Sequence, residues 1–229
     1  MIDQTWMMLS IGFALGLVHA LDADHVMAVS VLSNLRPGFL RTLRYCANWA
    51  LGHGCILLIS GLLLFGLGIG IPDSLVRLAE IMVGVFLIGM GLFCFWRFRR
   101  QRISLVEHRH GDLKHRHWQL ASDQAHADST VGNRQGHAPV MVGILHGFAG
   151  SAPALALVPV VAHGNIWSAL GYLMLFSTGV MLAMLVFGLG FGSAQKYIGQ
   201  KSVRLMSSLR QVIAFSSVAV GGYWLSQAL

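Results

Sequence analysis

The sequence predicts an all-α membrane protein with six transmembrane helices, arranged as two inverted three-helix repeats. Three observations carry that reading: an apolar composition, six apolar runs, and basic residues confined to alternate connections. Hydrophobic residues make up 55% of the 229 residues and charged residues only 11%, with a mean hydropathy of +0.65. Soluble domains of this size carry about a quarter charged residues. A bilayer crossing needs about 20 apolar residues, and the chain offers runs at roughly 7–31, 46–71, 75–96, 139–162, 166–191 and 203–227. The last is the weakest, because Arg204 and Arg210 intrude on its first turns.

The connections orient these runs. Arg36, Arg41 and Arg44 lie between the first two, and Lys196, Lys201, Arg204 and Arg210 lie around the start of the last. The stretch from Arg97 to Arg134 holds eight more basic residues, so fifteen of the sixteen fall on one side and only Arg77 on the other. The positive-inside rule makes that side cytoplasmic and puts both termini outside, in a multi-pass protein of the plasma (inner) membrane. The net charge of +7 is thereby a topology signal, and no nucleic-acid partner is expected. Asp3 leads the first run with no basic residue before it, so that run is expected to stay in the mature chain as a helix.

The two halves look related. Gly16-Leu17-Val18-His19 recurs as Gly143-Ile144-Leu145-His146, and Val76-Arg77-Leu78 as Val203-Arg204-Leu205, both at an offset of 127. Phe65-Gly66-Leu67-Gly68 recurs as Phe187-Gly188-Leu189-Gly190 at 122. Three crossings per half would make the halves inverted, an arrangement that places a transporter's site at the repeat interface. The expected organisation is a first half over 1–96, a polar cytoplasmic loop over 97–138 and a second half over 139–229.

The first run carries the chemistry. His19, Asp22, Asp24 and His25 interrupt an otherwise apolar segment. An Asp at mid-helix costs about 2.5–3.5 kcal/mol, so the pair costs roughly 6 kcal/mol before compensation. A plain anchor has no use for such a cluster, whereas two imidazoles and two carboxylates are metal-ligand chemistry. At 100° per residue, His19, Asp22 and His25 share one face of a regular helix, while Asp24 falls about 140° from His19. Either Asp24 serves a neighbouring helix or the segment unwinds near Ala23, as transporter helices do where backbone lines a cavity.

His19, four residues, then Asp24-His25 resembles the HX4DH signature of the nickel/cobalt transporter superfamily. Gly52-His53-Gly54 and His146-Gly147-Phe148-Ala149-Gly150-Ser151 resemble further motifs of its shorter, six-segment branch, which includes efflux proteins and permeases associated with urease maturation. Val18 stands where the larger uptake permeases usually have Arg, and their later acidic signatures are missing, so details of that branch are not carried over. The resemblance implies that His19, Asp24 and His25 recognise a divalent cation. Asp22 joins them on physical grounds, from its place on the His19/His25 face. His53 and His146 are the next candidates, each an imidazole at membrane depth beside glycine; the competing reading is a buried histidine bonded to a backbone carbonyl. Ser151 reads more simply as packing, and Asn48 and Trp49 as cavity or interface residues.

Imidazole with carboxylate suits nickel, cobalt, zinc or iron. Cys46, Cys55 and Cys94 form no CxxC, which disfavours a thiol relay and a thiolate copper site. No HExxH or G-x-x-x-x-G-K-[ST] occurs, so neither a metalloprotease nor an internal ATPase is expected. The loop carries six of the eleven histidines, His108, His110, His115, His117, His126 and His137. It shows no convincing apolar period and is expected to be largely disordered, with cytoplasmic metal capture favoured over a plain linker. Most of the 27 glycines lie within the apolar runs, as close helix packing in membranes requires. The leading expectation is a non-enzymatic Ni2+ or Co2+ permease without a resident cofactor, the metal being cargo. Its partners would be the metal ion and the lipid bilayer, with a metallochaperone or a second copy of the chain as further candidates. The alternatives are a proton-coupled transporter of another solute and a metal-delivery accessory protein.

Overall fold

A computed structural model describes residues 2–35, 38–68, 72–100, 103–110, 113–120, 137–149 and 165–229. It holds seven described helices: α1 (Ile2–His19), α2 (Ala23–Leu35), α3 (Phe39–Leu67), α4 (Asp73–Arg100), α5 (Ala138–Ala149), α6 (Ile166–Lys201) and α7 (Val203–Ala228). Between α4 and α5 lie two antiparallel strands, β1 (Ile103–His110) and β2 (Leu113–Leu120).

Three helices are long and apolar enough to cross a bilayer by themselves: Phe39–Leu64 of α3, Asp73–Arg99 of α4, and α6. Trp6–His19 and Ala23–Leu35 pass that test together, bent by 53° at a short break. The first apolar run is therefore two helices and not one. Helix α5, at 12 residues, is shorter than a crossing, and residues 150–162 of the expected fourth run lie outside the described residues. Helix α7 has the length, at 26 residues, but Arg204, Gln211, Tyr223 and Gln227 leave it more polar than its neighbours. The described spans thus number three, or four with the bent pair.

Local chemistry sets the ends. Gly68 closes α3 in the left-handed conformation (φ 67°), its N–H reaching the Leu63 carbonyl, a geometry that favours glycine. Asn165 caps α6 by accepting the Trp167 N–H at 2.9 Å, and Ser202 caps α7 by accepting from Leu205.

Packing follows the glycines. A Cβ on Gly16 would collide with the Phe176 carbonyl, and one on Gly143 with the Trp49 carbonyl. One on Gly52 would strike the Val140 carbonyl, and one on Gly179 the Phe13 carbonyl. Gly61 lies under the Leu173 side chain and Gly188 under Cys46. In each of these three pairs of contacts both partners move by 127 residues, the offset read from the sequence motifs. So α1 packs on α6 as α5 packs on α3, α3 and α6 pack on each other, and α4 lies along α7. The bundle's core gathers Ala28, Val29, Trp49, Leu57, Val83, Leu87, Val180 and Met184.

One buried polar network joins three helices. Ser33 of α2 bonds Thr42 of α3 and donates to Gln195 Oε1 of α6 at 3.2 Å, while Gln195 Nε2 donates to Asn34 Oδ1 at 2.9 Å. All four side chains are buried, and bonding to one another lowers the cost of that burial, although Asn34 Nδ2 keeps no partner.

Within the polar loop, residues 103–110 and 113–120 form strands where disorder is expected. Its strands pair Ile103 with Leu120, Leu105 with Trp118, Val106 with His117 and His108 with His115. Strand alternation then puts positions 108, 110, 115 and 117 on one face of the ribbon and 103, 105, 118 and 120 on the other. The second face also takes positions 107, 109, 114 and 116, all charged, so no single window of sequence shows an apolar period. His126 lies outside the described residues, and His137 is an exposed residue just before α5.

Candidate metal centre

The break between α1 and α2 builds the first part of the site. The last turn of α1 closes tightly, with Leu21 N–H on the Val18 carbonyl and Asp22 N–H on the His19 carbonyl, and the Asp22 carbonyl then accepts the Val26 N–H to open α2. Of the two options the helical wheel left, the segment takes the break. Asp22 stays at the turn, its side chain 51% exposed, with Oδ2 2.8 Å from His19 Nδ1. Asp24 goes inward in the first turn of α2, its side chain only 4% exposed and its Oδ2 3.7 Å from His25 Nε2.

Helices α3 and α5 supply the rest. His25, His53 and His146 are all buried, and so is Trp49. The ring of His25 stands 4.6 Å from that of His19, 5.3 Å from His53 and 5.6 Å from His146. Trp49 forms the floor, stacked on His53 at 5.0 Å and within 4.8 Å of His25 and 5.8 Å of His146. Phe176, 127 positions beyond Trp49, lies 5.4 Å from His19 as Trp49 lies beside His146. Close approach is possible because glycine lines both crossings: Gly143 and Gly147 let α5 meet α3 at Trp49 and His53, and Gly16 lets α1 meet α6 at Phe176.

Hydrogen bonding fixes which nitrogens are free. His25 Nδ1 is 3.0 Å from the His19 carbonyl and His146 Nδ1 is 2.8 Å from the Val142 carbonyl. A carbonyl can only accept, so each Nδ1 carries the proton and each Nε2 is left as a bare lone pair. The Asp22 carboxylate holds His19 Nδ1–H in the same way. The Nε2 atoms of His19, His25 and His146 and both ring nitrogens of His53 are buried without a hydrogen-bond partner. An imidazole whose second nitrogen is tied to an oxygen is the usual form of a metal-ligating histidine. One ligand atom from each of His19, Asp22 and His25 lies within 4.8 Å of the others. Two ligands on one ion at about 2.1 Å stand roughly 3.0–3.6 Å apart, close to the 3.7 Å between Asp24 and His25. His19, Asp22 and His25 therefore form one group of candidate ligands, with Asp24 beside His25 and the rings of His53 and His146 next to that of His25. Phe176 had no motif of its own and is found only by adding 127 to Trp49.

A cavity of about 420 Å3 opens beside the break, lined by Asp22, Ala23 and Asp24 and by Ala219, Val220, Tyr223 and Trp224 of α7. No sequence signal placed α7 there.

The sequence matches the family described as cytochrome c biogenesis protein transmembrane region over residues 11–217. The chain belongs to this family. Within the family's membrane region the three cysteines of this chain are free, Cys46 and Cys94 buried and Cys55 exposed. The chain is also 28% identical over 220 residues to the urease accessory protein UreH of Bacillus sp. (strain TB-90), covering 95% of this chain and 90% of that protein. No solved structure matches it. The apolar helices and the family together make it a multi-pass membrane protein.

Proposed function

We propose that the chain is an integral membrane permease for divalent transition-metal cations, Ni2+ or Co2+, which pass through an intramembrane site built from His19, Asp22, Asp24, His25, His53 and His146. The observation that carries this reading is a cluster of four buried imidazoles with neighbouring ring centres 4.6–5.6 Å apart, three of them with Nδ1 held by an oxygen and Nε2 left without a partner. Leaving buried ring nitrogens without partners is costly, and a cation can take one lone pair from each of the four rings. Nitrogen and carboxylate donors in this mix favour borderline divalent metals over Mg2+ or Ca2+. The similarity to a urease accessory protein agrees with the motif resemblance to permeases associated with urease maturation. The same similarity is compatible with the accessory alternative, in which the site hands metal to a partner such as a metallochaperone.

In this reading the chain has six crossings in two inverted halves, 1–96 and 139–229, with the 97–138 loop cytoplasmic and both termini outside. The glycine contacts repeating at 127 support it, and His19 and His146 then face the centre as equivalents. The histidine face of the hairpin, positions 108, 110, 115 and 117, serves as a cytoplasmic collecting surface. No cysteine belongs to the His19–Asp22–His25 group, which leaves its chemistry to imidazole and carboxylate, with the carboxylates available for proton coupling.

Radiolabelled nickel flux in proteoliposomes tests the proposal. Wild-type protein moves the ion, and His25→Ala lowers the rate at least tenfold. Flux that survives His25→Ala unchanged places the site elsewhere, and no divalent flux in either direction rejects the permease.

A further inference from the structure

The cavity between the α1–α2 break and α7 has the form of an entrance. It is lined by two carboxylates, Asp22 and Asp24, and by Ala219, Val220, Tyr223 and Trp224. Asp22 is half exposed at the break of a helix pair that together is apolar enough to cross a membrane, and the backbone around it is irregular. Neither is tolerated against lipid; both are tolerated along a water-filled cavity. Helix α7, which forms the opposite wall, is also the described long helix that falls short of a lipid-facing apolar profile. The cavity lies within about three turns of the end of α7 at Ala228, hence near the membrane face that holds the C-terminus.

Its dimensions suit a hydrated ion. A water occupies about 30 Å3, so a divalent cation with six waters needs roughly 200 Å3, and the cavity offers about 420 Å3. The imidazoles behind it leave no such room, with ring centroids 4.6–5.6 Å apart. Asp24 stands between the two spaces: it lines the cavity, yet its side chain is 4% exposed and lies 3.7 Å from Nε2 of His25. That nitrogen belongs to a residue 1% exposed and has no hydrogen-bond partner.

We infer that this cavity is an aqueous vestibule, open on the side of the chain termini, in which a hydrated divalent cation is held by Asp22 and Asp24 and sheds water before passing to His25, with α7 as its outer wall. The vestibule deepens the permease reading and names its route of entry; its test is read without transport. Ala219→Cys is made in a chain whose three native cysteines are alanine. It is exposed to membrane-impermeant methanethiosulfonate reagents carrying a trimethylammonium or a sulfonate group, and labelling is followed by mass. Val220→Cys serves as a second probe, and Val186→Cys, 60% exposed on α6, as the lipid-facing control.

The expected result is labelling of the α7 cysteines from the side of the termini, with the cationic reagent favoured at least tenfold over the anionic one after correction for free-thiol rates. Asp22→Asn lowers that preference severalfold, Ni2+ slows the labelling, and Val186→Cys stays unmodified. No labelling at either α7 position, equal rates for the two charges, or labelling only from the side of the basic loops overturns the vestibule. The two readings separate cleanly. Cation-selective labelling in a protein that moves no metal keeps the vestibule and rejects the permease. Metal flux with unlabelled α7 cysteines keeps the permease and puts its entrance elsewhere.

Discussion

His25 and His146 each donate Nδ1–H to a main-chain carbonyl, and His19 donates to Asp22. Each proton is thus held on Nδ1, and the Nε2 atoms are left buried without a hydrogen-bond partner. This arrangement makes two outcomes specific. Asp22→Asn keeps the turn and the shape of the side chain but weakens the acceptor for His19, so Ni2+ affinity of the purified protein falls about 10–100-fold, measured by equilibrium binding. Protons compete with metal for the same lone pairs, so affinity also falls on acidification. The sign is fixed: retention is stronger at higher pH and is lost as pH falls. An affinity that rises on acidification contradicts histidine ligation. At this scale the sequence was informative. The cluster stood out by its cost, and the wheel exposed the conflict over Asp24. The break at Leu21–Asp22 resolves that conflict, since a bent chain can turn both carboxylates toward one space. Trp49 and Phe176 were harder to read, because a lone aromatic in an apolar helix carries no mark of what it faces.

At the level of elements, glycines decide which helices meet. Gly16 and Gly143 each bring a helix onto a backbone carbonyl, of Phe176 and Trp49 respectively, at crossings that hold His19 and His146. Replacing either with alanine forces the helices apart, at about 1–3 kcal/mol for overpacking. The two variants should lose thermal stability in detergent to similar degrees, whereas Gly89→Ala and Gly222→Ala, with nothing within 4 Å of the added carbon, should be neutral or slightly stabilising. Unequal losses at Gly16 and Gly143 would argue against equivalent crossings. The GLVH and GILH segments hinted at this equivalence; the rest of it was hidden, because Gly52 and Gly179, or Gly61 and Gly188, match as single residues in unlike surroundings. The hairpin escaped notice for a different reason. Its apolar positions, Ile103, Leu105, Trp118 and Leu120, come together only when the two neighbouring strands pair.

Over the whole molecule, the bundle places the imidazoles behind a carboxylate-lined cavity and near no thiol pair. The apolar spans were visible in composition alone. The bend of the first run was not, since α1 and α2 together still read as one continuous apolar segment. Nor was the approach of α7 to Asp24, a contact between residues some 200 positions apart that no local pattern encodes. The central claim is that histidines within the membrane region bind the metal. Nickel X-ray absorption on the purified protein, with His108, His110, His115, His117, His126 and His137 replaced by alanine and one equivalent of Ni2+ added, addresses it most directly. The account predicts a first shell of nitrogen and oxygen with the multiple-scattering signature of at least three imidazoles, reduced by one in His146→Ala. A shell of oxygen alone, or one unchanged by His146→Ala, would contradict it.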